Sequence, residues 1–217
     1  MKKIIILGTG GNCIDILDTI LEINQIRKQY ECIGFLDDNE AKQHKEYFGV
    51  KVLGKLSDAD KFKEVLFVNG IGSSSTYTMK KDIISKTNIP VEQFETIIHP
   101  SASVSKMAVI GRGTVIFQNV TVTSNVRIGN HVIILPNSVI SHDVKIGDYS
   151  CITGGVCISG GVTVEESCYI GTNSSIIENI IIGQYSMIGM GSNVLHNVDK
   201  ESIMIGNPAV LLKKIKK

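Results

Sequence analysis

Residues 128 to 152 read IGNHVI-ILPNSV-ISHDVK-IGDYSC-I, four hexapeptides that each begin on isoleucine. The spacing continues outward in both directions. Ile98, Val104, Ile110, Ile116 and Val122 lead up to Ile128, and Ile158, Val164, Ile170, Ile176, Ile182, Ile188 and Val194 follow Ile152. Neither the helical period of 3.6 nor the strand period of 2 generates a repeat of six. A small or β-branched residue falls four places on, as in Val132, Ser138, Val144 and Ser150, and glycine falls one place on in Gly111, Gly129, Gly147, Gly171, Gly183 and Gly189. Those glycines are expected at sharp turns with positive φ.

Such a repeat predicts a parallel β-helix in which each hexapeptide forms one side of a triangular prism and three close a coil of about eighteen residues. The Ile or Val points to the axis and stacks on its equivalents in the coils above and below. Coils spaced at about 4.8 Å make a prism roughly 25 Å tall. The repeat occupies 97–203, and residues 204–217, where the register is lost, are expected to cap its open end.

The first 96 residues have another pattern. Lys3 to Leu7 reads as a buried parallel strand, broken by Gly8-Thr9-Gly10-Gly11 before the helical spacing of Ile14, Ile16, Leu17, Ile20 and Leu21. Strands are predicted at 31–36, 50–53 and 65–68 and a helix at 79–87. The alternation predicts a small doubly wound, Rossmann-like α/β domain. Cys13 stands where a dinucleotide fingerprint has its third glycine, so the turn carries two readings: a tight strand-to-helix connection, or backbone N–H groups that hold a phosphate. Asp37 and Asp38 end the second strand, and Gly70 to Ser75, with Gly72 and Ser73, follows the fourth. All three strand ends fall on the rim where open α/β sheets bind ligands. Gly8, Gly10, Gly11, Asn12, Asp37, Asp38, Gly72 and Ser73 are therefore the candidate substrate-binding residues.

A formal charge of +1 gives no electrostatic basis for binding nucleic acid or membranes. Five cysteines without metal-ligand spacing read as free thiols of a reducing compartment, and the apolar run before Gly8 is too short for a signal sequence or a membrane span. A cytoplasmic protein is expected.

Residues eighteen apart share a column, so numbering gives geometry. The column of His142 holds Ser124 below and Gly160, Glu178 and His196 above. His142 lies two places after an inward isoleucine and faces outward, Asp143 is placed to fix its tautomer, and the bare Gly160 leaves a backbone N–H open to a ligand in the manner of an oxyanion site. His196 is three coils away, about 14 Å, and His131 lies on another face, so one chain assembles no three-histidine zinc site and no metal is expected. Cys151 is half a coil from His142, on a different face. Lys213 and the lysines beyond it are solvated in the simplest reading and within reach of a phosphate in the other.

The turn at Gly8 to Gly11, Phe35-Leu36-Asp37-Asp38, Ile71-Gly72-Ser73, Ile98-His99-Pro100-Ser101-Ala102, Ser141-His142-Asp143 and Gly206-Asn207-Pro208-Ala209 together resemble the bacterial left-handed β-helix sugar acyltransferases of the NeuD and PglD type. The resemblance covers essentially the whole chain. It implies a homotrimer with sites between neighbouring prisms, acetyl-CoA in the groove, and the nucleotide of a UDP- or other NDP-amino sugar on the N-terminal domain. It further implies that His142 is the general base with Asp143 assisting, that the Gly160 N–H meets the thioester carbonyl, and that Gly206, Pro208 and Ala209 border acetyl-CoA. Asn12 and Cys151 stand where the family often has histidine, and Leu135-Pro136 where it often has Asn-Thr. The expected reaction is N-acetylation of a nucleotide-linked amino sugar for surface glycans. O-acetylation of sialic acid or another sugar hydroxyl, and an inactive binding scaffold, are the alternatives.

Overall fold

The computed structural model describes residues 1–215. Five strands, β1 (Lys2–Leu7), β2 (Tyr30–Leu36), β3 (Glu46–Tyr47), β4 (Val50–Gly54) and β5 (Leu66–Asn69), form one sheet in the order β3-β4-β2-β1-β5. All are parallel except β3, an antiparallel edge formed by a hairpin with β4. Ile4 to Leu7 read as an unbroken apolar run because both faces of β1 are covered. The helix α1 (Gly11–Ile26) packs on Ile4 and Ile6, while Leu56, Ala59, Ile84 and Phe94 gather with Ile5 and Leu7 on the other side.

The domain is more sparingly wound than the sequence predicts. Only α1 is a long crossover helix; 3-10 turns at Glu40–Lys42 and Leu56–Lys61 serve elsewhere. The helix expected at 79–87 is shorter, α2 (Lys80–Ser85), entered through a 3-10 turn at Tyr77–Met79. It ends early because Asn88 takes a left-handed φ of 54° and Pro90 disfavours helical backbone at Ile89.

From Ile97 on, the chain forms two-residue strands, each paired in parallel with the strand eighteen residues on. Val115, Ile133, Cys151, Tyr169 and Met187 are in register on one face. Thr121, Val139, Cys157, Ser175 and Asn193 align on the second, and Arg127, Lys145, Thr163 and Ile181 on the third. This is the left-handed β-helix that the sequence predicts. Its axis is filled by Ile116, Ile134, Ile152 and Ile170 with Val120, Val144, Val156 and their equivalents, all fully buried. At the first coil Ile98 is 36% exposed, since no coil lies beneath it.

The turns depart from expectation. None of Gly111, Gly129, Gly147, Gly171, Gly183 and Gly189 has positive φ. The left-handed residue comes three places after the inward one, without a gap from Gly113 to Gly191, and Gly or Asn fills nine of these fourteen corners, the two residues that tolerate this conformation best. The glycines one place after the inward residue answer a need for space. A Cβ on Gly147 would stand 2.5 Å from the Glu166 backbone nitrogen of the next coil.

Beyond the last coil, Ser202–Ile205 adds in parallel to Met187–Ile188 and Val210–Lys214 returns antiparallel. The expected boundary at 203/204 thus falls inside a strand, and the cap is a hairpin that prolongs one face. Lys216 and Lys217 lie outside the described residues. Among the described residues no helix is long and apolar enough to cross a membrane.

The α/β domain rests on the first face of the prism. Val115, Phe117 and Ile133 join the α1 core, His99 Nε2 meets Glu22 Oε2 at 2.9 Å, and the Tyr77 ring lies 5.7 Å from Tyr169. His131 is buried in this interface at 3% exposure, stacked on Tyr149 and edge-on to Phe94, with its Nδ1 unpartnered among the described residues. Burial first, and the Lys80 charge second, push its pKa down to about 4.

Two outcomes are expected. Gly147→Ala should destabilise the prism by roughly 1–3 kcal/mol through overpacking, whereas Asn173→Gly, at a left-handed corner, should change stability little; the opposite ranking in urea unfolding would refute the spatial role of Gly147. A histidine whose folded pKa is depressed stabilises fully above its unfolded value of about 6.5 and loses that contribution as pH falls toward about 4. Thermal midpoints between pH 7.5 and 5 should therefore fall less for His131→Phe than for the wild type.

Candidate active site

Every candidate substrate-binding residue of the N-terminal domain lines one cavity of about 550 Å³: Gly8, Gly10, Gly11, Asn12, Asp37, Asp38, Gly72 and Ser73. The glycine turn is shaped for close approach. Gly8 has φ +93°, and a Cβ on Gly10 or Gly11 would meet nothing within 4 Å. Gly10 caps α1 without a side-chain hydrogen bond, and the first turn of the helix carries no acidic residue of its own, so the positive helix end faces the cavity. Asn12 Nδ2 reaches Gly72 O at 3.5 Å and ties the two rims together. Burial opposes ionisation of Asp37, but hydrogen bonds from Thr9 Oγ1 at 2.5 Å and the Asn39 N–H, with Lys42 nearby, hold its carboxyl below the usual range. Asp38 accepts the Leu56 N–H, so part of its role is structural. Leu135, Thr153 and Tyr169 close the cavity from the prism. Their contribution was not visible in sequence because it depends on how the domain docks.

The second constellation lies at a corner of the prism. His142 Nδ1 and Asp143 Oδ2 are 2.8 Å apart, both side chains mostly exposed at 66% and 54%. Asp143 also accepts from Asn125 Nδ2 at 2.6 Å. The hydrogen bond from His142, then that from Asn125, hold its carboxyl below the usual range. An ionised Asp143 can only accept, which assigns the proton to Nδ1 and leaves the Nε2 lone pair free to take a proton. The ring lies against Gly160: a Cβ there would sit 2.5 Å from Cε1 and 2.7 Å from Nε2. The Gly161 N–H donates to His142 O at 3.0 Å, as the column requires, while the Gly160 N–H has no hydrogen-bond partner among the described residues. Asn125 was missed in sequence, although its place eighteen residues before Asp143 could have identified it.

One chain keeps these constellations apart. The cavity opens on the face holding Cys151 and Tyr169, and the whole second face lies between it and the His142 corner. Gly206, Pro208 and Ala209 are seated at the far end of the prism, where the Ala209 N–H donates to Asn193 O and the Gly206 N–H to Ser192 Oγ; the Asn207–Pro208 bond is cis. Lys213 is exposed on the returning strand of the hairpin. Cys151 is buried against the α/β domain, on a different face from His142.

Residues 3–80 match the PglD N-terminal domain model, and 107–142 and 125–160 match bacterial transferase hexapeptide repeats. The first match spans most of the α/β domain and the second the middle of the prism. The UDP-N-acetylbacillosamine N-acetyltransferase of Bacillus subtilis (strain 168) is 33% identical over 118 residues, which is 51% of this chain and 49% of that protein. The match thus spans about half the length of that curated relative. Among solved structures, the acetyltransferase domain of PglB from Neisseria gonorrhoeae FA1090 superposes with a TM-score of 0.85 at 21% identity, covering 98% of this chain and 100% of that one. A mutant of perosamine N-acetyltransferase from Caulobacter crescentus, in complex with CoA and GDP-perosamine, gives 0.85 at 21% identity over 99% and 98%. WeeI from Acinetobacter baumannii AYE gives 0.82 at 24% identity over 98% and 100%. These likenesses establish the two-domain fold of the whole chain.

Gly160→Ala tests the corner directly, since alanine keeps the N–H but its methyl collides with the imidazole. Displacement of the His142 ring should appear as a changed imidazole NMR environment, with a thermal midpoint near that of the wild type. An unchanged His142 resonance would refute the packing.

Proposed function

We propose that the chain is an acetyl-CoA-dependent acyltransferase that acetylates the amino group of a nucleotide-linked amino sugar, in bacterial surface glycan biosynthesis. The observation that carries this is the His142 ring, held by Asp143 with its Nε2 free, beside the unpartnered Gly160 N–H. An acyl transfer needs a base for the attacking amine and a donor for the oxyanion, and both lie at one corner. The amine attacks the thioester carbonyl carbon and His142 Nε2 takes its proton. The Gly160 N–H stabilises the tetrahedral oxyanion, and its collapse expels the CoA thiolate, which receives the proton from the imidazolium. Asp143 stabilises that imidazolium, and Asn125 holds Asp143.

The acceptor assignment rests on the cavity. An N-terminal helix end bare of acidic residues suits a diphosphate, and Asp37 suits a ribose or base donor. A free sugar acceptor would leave the glycine turn and Asp37 without a role. The names of the relatives agree in substrate class: one is a UDP-sugar N-acetyltransferase and another is bound to CoA and GDP-perosamine.

Because a full face separates the cavity from the His142 corner of the same chain, the reading requires a second copy that brings its corner to this cavity, as in a homotrimer. Acetyl-CoA then runs along the groove between prisms from Gly160 toward Gly206, Pro208 and Ala209, with Lys213 near its phosphates. The cytoplasm is the compartment this reading assigns.

His142→Ala should lower kcat by roughly 10²- to 10⁴-fold with little change in acetyl-CoA affinity, and Asn125→Ala should lower kcat less, without altering nucleotide affinity. A His142→Ala enzyme of near wild-type rate would remove the base from the mechanism. Titration with UDP and GDP checks the acceptor, and no binding of either would sink it; a monomer in sedimentation at assay concentration would sink the shared site.

A further inference from the structure

A lysine without a carboxylate partner lies in the interface between the two domains. Lys80, at the start of α2, has 0% exposure, and the one hydrogen bond of its side chain among the described residues runs from Nζ to Cys151 Sγ, 3.7 Å away. An ammonium placed there loses its hydration with little in return, and an apolar side chain of similar volume would pack as well at lower cost. Burial pushes the Lys80 pKa down, with the Cys151 sulfur acting in the other direction. Among the described residues no carboxylate pairs with the Lys80 ammonium, and its charge helps burial to push the His131 pKa down to about 4.

Access is an independent observation. Gly72 lines the interdomain cavity, and a Cβ on it would meet Cys151 Sγ at 2.6 Å and Lys80 Nζ at 3.5 Å. The Gly72 backbone thus lies between the cavity and the sulfur–nitrogen pair, with Ile133 beside it. Among the described residues the other two fully enclosed thiols hydrogen-bond to backbone carbonyls and to no amine. Cys13 Sγ contacts Leu7 O and Cys168 Sγ contacts Gly183 O, and burial pushes both up to about 12.

We propose that Lys80 and Cys151 form an oxidative modification site, joined by a covalent N–O–S bridge that fastens the α/β domain to the prism behind the cavity. The oxidant is molecular oxygen. The thiol S–H and one amine N–H bond break, and S–O and N–O bonds form. Sulfur and nitrogen are each oxidised by two electrons, and dioxygen accepts all four. One of its atoms becomes the bridge, and the other leaves as water with the two hydrogens. The flexible lysine stem closes the remaining distance between the two atoms. Reversal takes four electrons from two equivalents of a dithiol: attack on the sulfur breaks the S–O bond, frees Cys151 and leaves a hydroxylamine on Lys80, and reduction of its N–O bond returns the amine with the oxygen leaving as water.

The full-length protein, incubated in air-saturated buffer and digested without reductant, should yield the Lys80 and Cys151 peptides joined, at the sum of their masses plus about 14 Da, one oxygen gained and two hydrogens lost. The pair should be absent from protein kept anaerobic, and dithiothreitol should return both peptides unmodified. Cys151→Ser and Lys80→Met should each abolish it, and the aerobic wild type should melt several degrees above its reduced form while Cys151→Ser shows no such difference. The wild-type masses decide the matter even if Lys80→Met does not fold. Recovery of Cys151 as a free thiol or as a sulfinic acid, with an unlinked Lys80 peptide, under conditions that oxidise the exposed Cys157, would overturn the proposal. A linked pair lighter by two hydrogens, without the oxygen, would overturn the bridge chemistry.

Discussion

Parallel pairing of each two-residue strand with the one eighteen residues on is the constraint from which the rest of this structure follows. It repeats without slip from Ile97 to Val194, and the inward Ile and Val residues make it obligatory. A slip of one residue would turn an axis residue such as Ile152 outward and bring Cys151 inward. Two-residue strands have little stability alone, and here each is held by neighbours above and below, so cooperativity along the axis replaces strand length. A rigid ruler results, on which an outward side chain has a fixed height and a fixed face.

The two ends of that ruler are treated differently. At the last coil the hairpin of Ser202–Ile205 and Val210–Lys214 prolongs one face, and Met204 and Ala209 pack against the core that holds Val194 and Val198. The first coil stays open at Ile98, and the α/β domain does not plug it but lies along a side, through Val115, Phe117 and Ile133. Side-on docking makes the interdomain cavity and also encloses polar groups. His131, Lys80 and Cys151 stand at outward or domain-surface positions that would be solvated if the domains were apart, and their burial is a consequence of assembly rather than of either domain's own core.

This explains how much was legible in sequence. Period, coil height and the His142–Gly160 stack are properties of numbering, because the ladder converts sequence distance into spatial distance without intervening choices. The glycine-rich rim of the N-terminal sheet was also legible, since strand ends in open α/β sheets share one edge. Docking was not: Leu135, Thr153 and Tyr169 look like any other outward prism residues until the domain covers them. The turn geometry was misread for a different reason. Gly147 and its equivalents suggested positive φ, but composition alone cannot separate a glycine that frees a dihedral from one that makes room for the next coil's backbone.

The corrected turn geometry also bears on where the chemistry sits. From Gly113 to Gly191 the residue three places after each inward Ile or Val has positive φ, a conformation that Gly, Asn and Asp tolerate best. At φ 61° Asp143 adopts that conformation, and the same corner sets its carboxylate against the imidazole of the residue before it. Asn125 adopts it one coil below, at φ 57°, and its amide thereby falls beneath Asp143. The side chains that the backbone tolerates best at this corner are the ones able to orient a histidine. A base on a prism thus acquires its orienting groups from residues the turns already favour, and Gly160, with no Cβ above the ring, completes the corner.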